Sequence, residues 1–165
     1  MTGAWLAIVG IGEDGLAGLS AASRAQLDAA EILIGGARHL AMVPGDGRPR
    51  MEWPSPLSAL VDRILELRGR RVCVLATGDP MDFGIGATLL RRVPPAETVV
   101  IPAAGAFALA CARLGWPRVE TVALTLHGRP TALLHPHVQP GARLLILCAD
   151  RHGAHAERDV GEREA

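Results

Sequence analysis

The stretch that most constrains the fold runs Val72-Cys73-Val74-Leu75-Ala76-Thr77-Gly78-Asp79-Pro80-Met81-Asp82-Phe83-Gly84. An apolar run breaks abruptly into Gly-Asp-Pro, and nowhere else does the chain change character so sharply. Such a run fits a strand covered on both faces, the setting that a parallel α/β sheet provides. Gly78 lets backbone approach a ligand closely, Asp79 supplies an anionic acceptor, and Pro80 fixes φ so that the loop cannot relax into helix. By turn chemistry alone this is a plain tight turn with a spare carboxylate. The flanking segments have to decide.

Trp5-Leu6-Ala7-Ile8-Val9 is expected as the first strand and runs into Gly10-Ile11-Gly12-Glu13-Asp14-Gly15, formally G-x-G-x-x-G. The dinucleotide mechanism behind that motif needs a helix starting inside the glycines and an acidic residue about 20 positions on, at the end of the second strand. Here the helix is expected only over 20–30 with Ser20 as N-cap, and the second strand, 31–34, ends in Gly35-Gly36 and Arg38. A nicotinamide site is therefore not supported. A glycine loop at the carboxyl end of a first strand still places exposed backbone where open α/β sheets bind ligands. Arg38 and His39 read either as a solvated turn or as two cations for a ligand carboxylate.

The segment 44–49 is a loop by its Pro and Gly content. Ser55 as N-cap and Pro56 at the first helical position open a helix with Leu57, Leu60, Val61, Ile64 and Leu65 on one face, stopped by Gly69. After the Gly-Asp-Pro turn a short helix is expected over 85–92 and a β-branched strand over 98–101. Ala103-Ala104-Gly105-Ala106-Phe107 then turns into an Ala-rich helix to Leu114, closed by Gly115-Trp116-Pro117. The small residues suit a ligand lying against backbone, and equally suit tight helix-on-sheet packing. Further strands are expected over 119–126, before His127-Gly128-Arg129-Pro130, and over 144–148, before Asp150. Strands alternating with helices at this spacing predict a parallel α/β fold. The expected domain boundary lies at Gly115 to Pro117, dividing the chain into 1–115 and 116–165.

Composition narrows the function classes. The 49% hydrophobic content excludes a disordered chain. No apolar run approaches the roughly 18 residues of a membrane span, and no basic leader opens the chain, so a soluble, cytoplasmic protein without a membrane partner is expected. Cys73, Cys111 and Cys148 are far apart in apolar surroundings and read as reduced core thiols. All 17 basic residues are Arg, and the chain has no Lys, Tyr or Asn, a pattern that points to genome composition rather than binding chemistry. A formal net charge of zero argues against a nucleic-acid partner. His135-x-His137 and His152-x-x-His155 lack Cys or carboxylate partners at ligand spacing, so no metal is expected.

Three turns nonetheless coincide: Val9-Gly10-Ile11-Gly12, Thr77-Gly78-Asp79-Pro80 with Phe83-Gly84, and Ile101-Pro102 leading into a small-residue helix start. In order and spacing they resemble the tetrapyrrole methylase family. Gly35-Gly36-Ala37-Arg38-His39-Leu40 and Leu124-Thr125-Leu126-His127-Gly128-Arg129-Pro130 are similar to its precorrin-6Y methyltransferase branch, which methylates carbon 5 of the macrocycle in cobalamin synthesis. The likeness covers about residues 4 to 150. It implies two α/β domains with S-adenosyl-L-methionine in the cleft between them, the second domain lacking its final strands. By family position, Thr77, Gly78, Asp79, Asp82, Gly105, Ala106, Cys148 and Ala149 would bind the cofactor. Gly10, Gly12, Arg38, His39 and Arg129 would face the carboxylate-rich macrocycle, with His127 as the candidate for proton handling.

Three departures stand out: Glu13-Asp14 replaces the more usual Pro-Gly of the first loop, Ala103-Ala104-Gly105 replaces a Gly-Val-Ser pattern, and the chain is shorter than its family. The resemblance implies a homodimer, and a decarboxylating methyltransferase as a possible separate partner. Methyl transfer from a sulfonium is an in-line displacement with a good leaving group, so alignment at about 3 Å and exclusion of water are the protein's main tasks. No strong base is required. The alternatives are the ribosomal RNA methyltransferases of the same family, against which the zero net charge counts, and a non-catalytic ligand-binding or assembly fragment.

Overall fold

A computed structural model describes residues 3–53 and 58–148. The chain separates into two compact units, the second beginning at Ala106.

In the first unit, β1 (Leu6–Ile11), β2 (Ile32–Gly35), β3 (Arg50–Glu52), β4 (Val72–Thr77) and β5 (Thr98–Ile101) form one sheet. The strand order is β3-β2-β4-β1-β5 and every pairing is parallel. β1 is buried at every position and β4 at every position but Thr77. Continuous apolar runs are what a sheet covered on both faces demands.

The period-2 alternation of strand side chains sorts them between two helical layers. Ala7, Val9, Leu33, Cys73 and Leu75 pack with Leu27 of α1 (Ala21–Ala29) and Leu40 of α2 (Ala37–Ala41). Leu6, Ile8, Ile34, Val72 and Val74 pack on the other face with Leu60, Val61 and Ile64 of α3 (Ser58–Glu66) and Ile85 and Leu89 of α4 (Ile85–Leu89). Burial pushes the Cys73 thiol up to about 12, so it is an inert core group. Ser20 caps α1, its hydroxyl accepting the Ser23 N–H at 3.1 Å.

Several elements differ from the sequence expectations. A 3-10 turn, Gly15–Gly18, precedes α1. β2 runs one residue later than expected. β3, unanticipated, is held by pairing with β2 rather than by apolar alternation. The Arg38-His39 segment is a short helix, α2, and not a turn. α4 stops at Leu89: the Leu90 N–H still makes the regular helical bond to Gly86 at 3.0 Å, and the Arg92 N–H then bonds three residues back, to Leu89 at 2.9 Å, as a tighter turn. The expected Ser55-Pro56 cap lies outside the described residues.

The second unit contains α5 (Ala106–Leu114), β6 (Val122–Thr125) and β7 (Leu144–Leu147), with β6 and β7 parallel and Val122 opposite Leu144. The strand expected from Val119 starts only at Val122. Arg118–Glu120 is a 3-10 turn instead, and Thr121 ties it by donating its hydroxyl to the Pro117 carbonyl at 3.0 Å. The Arg118 guanidinium stands 5.9 Å from the centre of the Phe107 ring, and that of Arg143 stands 5.9 Å from the Trp116 ring. Among the described residues no helix is long and apolar enough to cross a membrane.

Leu75 is fully buried at the middle of the sheet. Leu75→Ala is expected to lower unfolding free energy by about 2–5 kcal/mol in a denaturant titration. A loss below about 1 kcal/mol contradicts this packing of β4.

Candidate functional site

β1 and β4 are neighbours in the sheet, yet their chains leave for opposite faces. β1 leads toward α1 in one helical layer and β4 leads into α4 in the other. Adjacent parallel strands that part in this way open a crevice at their carboxyl ends, the place where open α/β sheets bind ligands.

Glycines occupy that crevice because main chain meets main chain there. A Cβ on Gly10 would stand 1.9 Å from the Gly78 carbonyl oxygen and 2.5 Å from the Ala103 nitrogen. Gly78 has φ +56°, and its Cβ would meet Gly105 Cα at 2.8 Å and the Ala104 oxygen at 3.0 Å. Both positions exclude every L side chain. The Gly78 N–H donates to Ile11 at 3.1 Å, and the Ala103 N–H donates to Gly78 at 3.1 Å. The ends of β1, β4 and β5 are thus drawn together by backbone alone.

The Gly-Asp-Pro loop is rigid for identifiable reasons. Asp79 Oδ1 accepts the Met81 N–H at 2.8 Å, and the Asp82 N–H donates to the Asp79 carbonyl at 3.2 Å. The Gly86 N–H donates to the Pro80 carbonyl at 2.9 Å. A Cβ on Gly105 would touch Asp79 Cβ at 3.3 Å and stand 3.8 Å from Asp82 Oδ2, so both acidic residues border the small-residue turn. The Asp82 carboxylate has no hydrogen-bond or ion-pair partner among the described residues.

One step along the sheet edge, Thr77 Oγ1 lies 3.0 Å from His39 Nε2. Thr77 is exposed and His39 is buried. The His39 Nδ1 is buried without a partner among the described residues. Burial, with the neighbouring Arg38 charge, holds the His39 pKa below its ordinary value of 6.5, and Glu13 opposes that shift. Arg38 itself is ion-paired with Glu13 of the first loop. That pair is exposed and adds little stability.

Thr77, Gly78, Asp79, Asp82, Gly105 and Gly10 therefore meet at one place, with His39 and Arg38 beside them. Gly12 belongs to the following turn, its carbonyl accepting the Gly15 N–H at 3.1 Å. Ala106 begins α5. His127 and Arg129 follow β6 as exposed residues of the second unit, and Cys148 follows β7. Ala149 lies outside the described residues. Sequence reasoning missed Trp53, whose indole flanks Gly36 with Cδ1 3.0 Å from where a Gly36 Cβ would stand. No local pattern marks it, because Trp53 reaches this spot only through the pairing of β3 with β2. It also missed Glu13 as the partner of Arg38.

Gly10→Ala is expected to destabilise the protein by more than about 2 kcal/mol, since backbone rather than a flexible side chain must move. Gly45→Ala, with nothing within 4 Å of its Cβ among the described residues, serves as the control in the same denaturation experiment. Equal effects at the two positions sink the contact. For His39 the lowered pKa means that the unfolded chain takes up a proton first on acidification. Its contribution, present above pH 6.5, is lost as pH falls through 6.5 toward the folded value. Thermal melts between about pH 7.5 and about pH 5.5 should show wild type losing stability relative to His39→Gln. A constant gap refutes it.

A family model described as tetrapyrrole (corrin/porphyrin) methylases matches residues 6–158. A precorrin-6Y C(5,15)-methyltransferase (decarboxylating) of a Sinorhizobium species is 42% identical over 162 residues, 96% of this chain and 38% of that protein. A cobalt-precorrin-7 C(5)-methyltransferase of Salmonella typhimurium is 33% identical over 124 residues, 75% of this chain and 62% of that protein. Among solved structures, a precorrin-6Y methylase of cobalamin biosynthesis from Archaeoglobus fulgidus matches with a TM-score of 0.65 at 29% identity, over 88% of this chain and 73% of that one. The chain thus spans well under half the length of the first of these relatives. With the family model matching nearly its whole length, and the parallel sheet and glycine loops in place, the chain belongs to the tetrapyrrole methylase family.

Proposed function

We propose that the chain is an S-adenosyl-L-methionine-dependent C-methyltransferase acting on carbon 5 of a precorrin-type tetrapyrrole in cobalamin biosynthesis. The observation that carries this reading is the crevice at Gly10, Gly78 and Gly105, closed to any Cβ and bordered by the Asp82 carboxylate, which has no partner among the described residues. These residues fit the methyl donor: the buried glycines pack main chain against main chain and so hold the exposed Thr77 and the half-buried Asp79 and Asp82 together at the strand ends, and a carboxylate favours a sulfonium cation. When bound, S-adenosyl-L-methionine supplies an electrophilic methyl group.

The chain's own residues hold and orient. Thr77, Gly78, Asp79, Asp82 and Gly105 form the cofactor side, and Ala106, Cys148 and Ala149 join them by family position. Arg38 and Arg129 supply donors for the macrocycle carboxylates, with His39, Gly10 and Gly12 beside them. His127 takes the proton released from the methylated carbon. Carbon 5 is favoured because both relatives carry that position in their names, while only the longer is called decarboxylating. The reading includes a homodimer and a separate decarboxylating partner in the cytoplasm.

Isothermal titration of the folded chain with S-adenosyl-L-methionine tests the reading. Binding is expected, weakened about tenfold in Asp82→Asn, the weight of one charge-assisted contact. No detectable binding sinks it. An absorbance change on mixing protein, cofactor and purified precorrin then tests the substrate.

A further inference from the structure

We propose that His39 is a positioning residue: its Nε2–H donates to Thr77 Oγ1 and so turns the single hydroxyl proton of Thr77 outward, as a donor aimed at a carboxylate of the ligand held over the strand ends. This rests on the methyl-donor reading above and adds to it a directional contact that main chain alone does not provide.

The pair joins two unlike environments. His39 retains 7% exposure, whereas Thr77 ends β4 exposed, one residue before Gly78. Their 3.0 Å contact admits two arrangements. With the proton on Nδ1, Nε2 accepts from Thr77 and consumes the hydroxyl's only proton. That arrangement also buries an N–H with no partner, since Nδ1 has none among the described residues. With the proton on Nε2, Nδ1 keeps only a lone pair, and orphaned buried N–H groups are the rarer case. The second arrangement wins, and the Thr77 proton is left for a ligand.

The surroundings favour the neutral ring. A cation would bury two N–H donors with one acceptor between them. The charged groups facing the ring are Arg38, which opposes a second positive charge, and Glu13, which acts the other way. On the Nδ1 side lies Gly36, where a Cβ would stand 3.6 Å from Nδ1 and 3.2 Å from Trp53 Nε1. Gly36 thus offers no side-chain acceptor beside Nδ1.

A carboxylate could come from the amino-acid end of the methyl donor or from the macrocycle rim, and the test separates them. Long-range proton–nitrogen correlation spectra report the His39 tautomer directly. A proton on Nε2 is expected, and one on Nδ1 overturns the proposal. Wild type, Thr77→Val, His39→Leu, His39→Gln and the Thr77→Val/His39→Leu double variant are then titrated with S-adenosylhomocysteine, its decarboxylated analogue and uroporphyrin. Thr77→Val and His39→Leu should each weaken one carboxylated ligand about tenfold, the double variant no further, and His39→Gln should recover most of the loss. Loss confined to S-adenosylhomocysteine, with its decarboxylated analogue unaffected, assigns the cofactor carboxylate. Loss confined to uroporphyrin assigns the macrocycle. Additive losses overturn the proposal, as does wild-type affinity in folded Thr77→Val. Failure of wild type to bind any of these ligands overturns the methyl-donor reading as well, whereas binding that Thr77→Val leaves intact overturns this proposal alone.

Discussion

The close approach of Gly10 to Gly78 and Ala103 sets the geometry at the carboxyl end of the sheet. A methyl group on Gly10 would overlap the Gly78 carbonyl at 1.9 Å, so β1 and the loop after β4 could not keep both their parallel register and their contact. The hydrogen bond from Ala103 to that same carbonyl brings in the end of β5. Three strand ends, two of which lead to opposite helical layers, are held at one point. The acidic Asp79-Pro80-Met81-Asp82 turn takes its position from that knot.

The opposite end of the sheet is fastened by side chains instead. The Trp5 indole donates to Glu97 at 2.7 Å and the Arg68 guanidinium pairs with the same carboxylate at 3.1 Å, tying the start of β1 to the approach to β5 and to the turn before β4. Arginine has a comparable role elsewhere. Arg48 donates to the Leu27 and Ala30 carbonyls at 2.6 and 2.9 Å, closing the end of α1, and Arg50 donates to Leu40 and Val43, both at 2.8 Å, closing α2. The carbonyls at a helix C-terminus are short of intrahelical donors, and here one Nη1 of each guanidinium reaches two of them at once. An all-Arg complement therefore has structural employment in this fold, away from any ligand.

Where local chemistry and tertiary packing agreed, the chain could be read directly. The buried runs at β1 and β4, the Ser20 cap and the β-branched β5 are all local signals, and each has its counterpart in the structure. Of the readings of Gly78-Asp79-Pro80, the tight turn is the one that the structure shows. Asp79 does hold a tight turn through Oδ1, and the same turn places Asp82 at the crevice. β3 was illegible because Arg50-Met51-Glu52 becomes a strand only through its partner. His39 looked like surface because a polar residue after two glycines usually is. Its burial follows from the packing of α2 against β2 and β4, which no local window contains. Glycine positions were visible, but which glycine faces which depends on strand order.

The glycine crevice also bears on how such a site persists. Its shape comes from main-chain atoms, which are the same whatever amino acids a genome's nucleotide bias favours. A chain without Lys, Tyr or Asn can have its exterior rewritten while this main-chain contact stays unchanged. Drift in side-chain vocabulary leaves it untouched, provided that glycine itself remains where a Cβ cannot go.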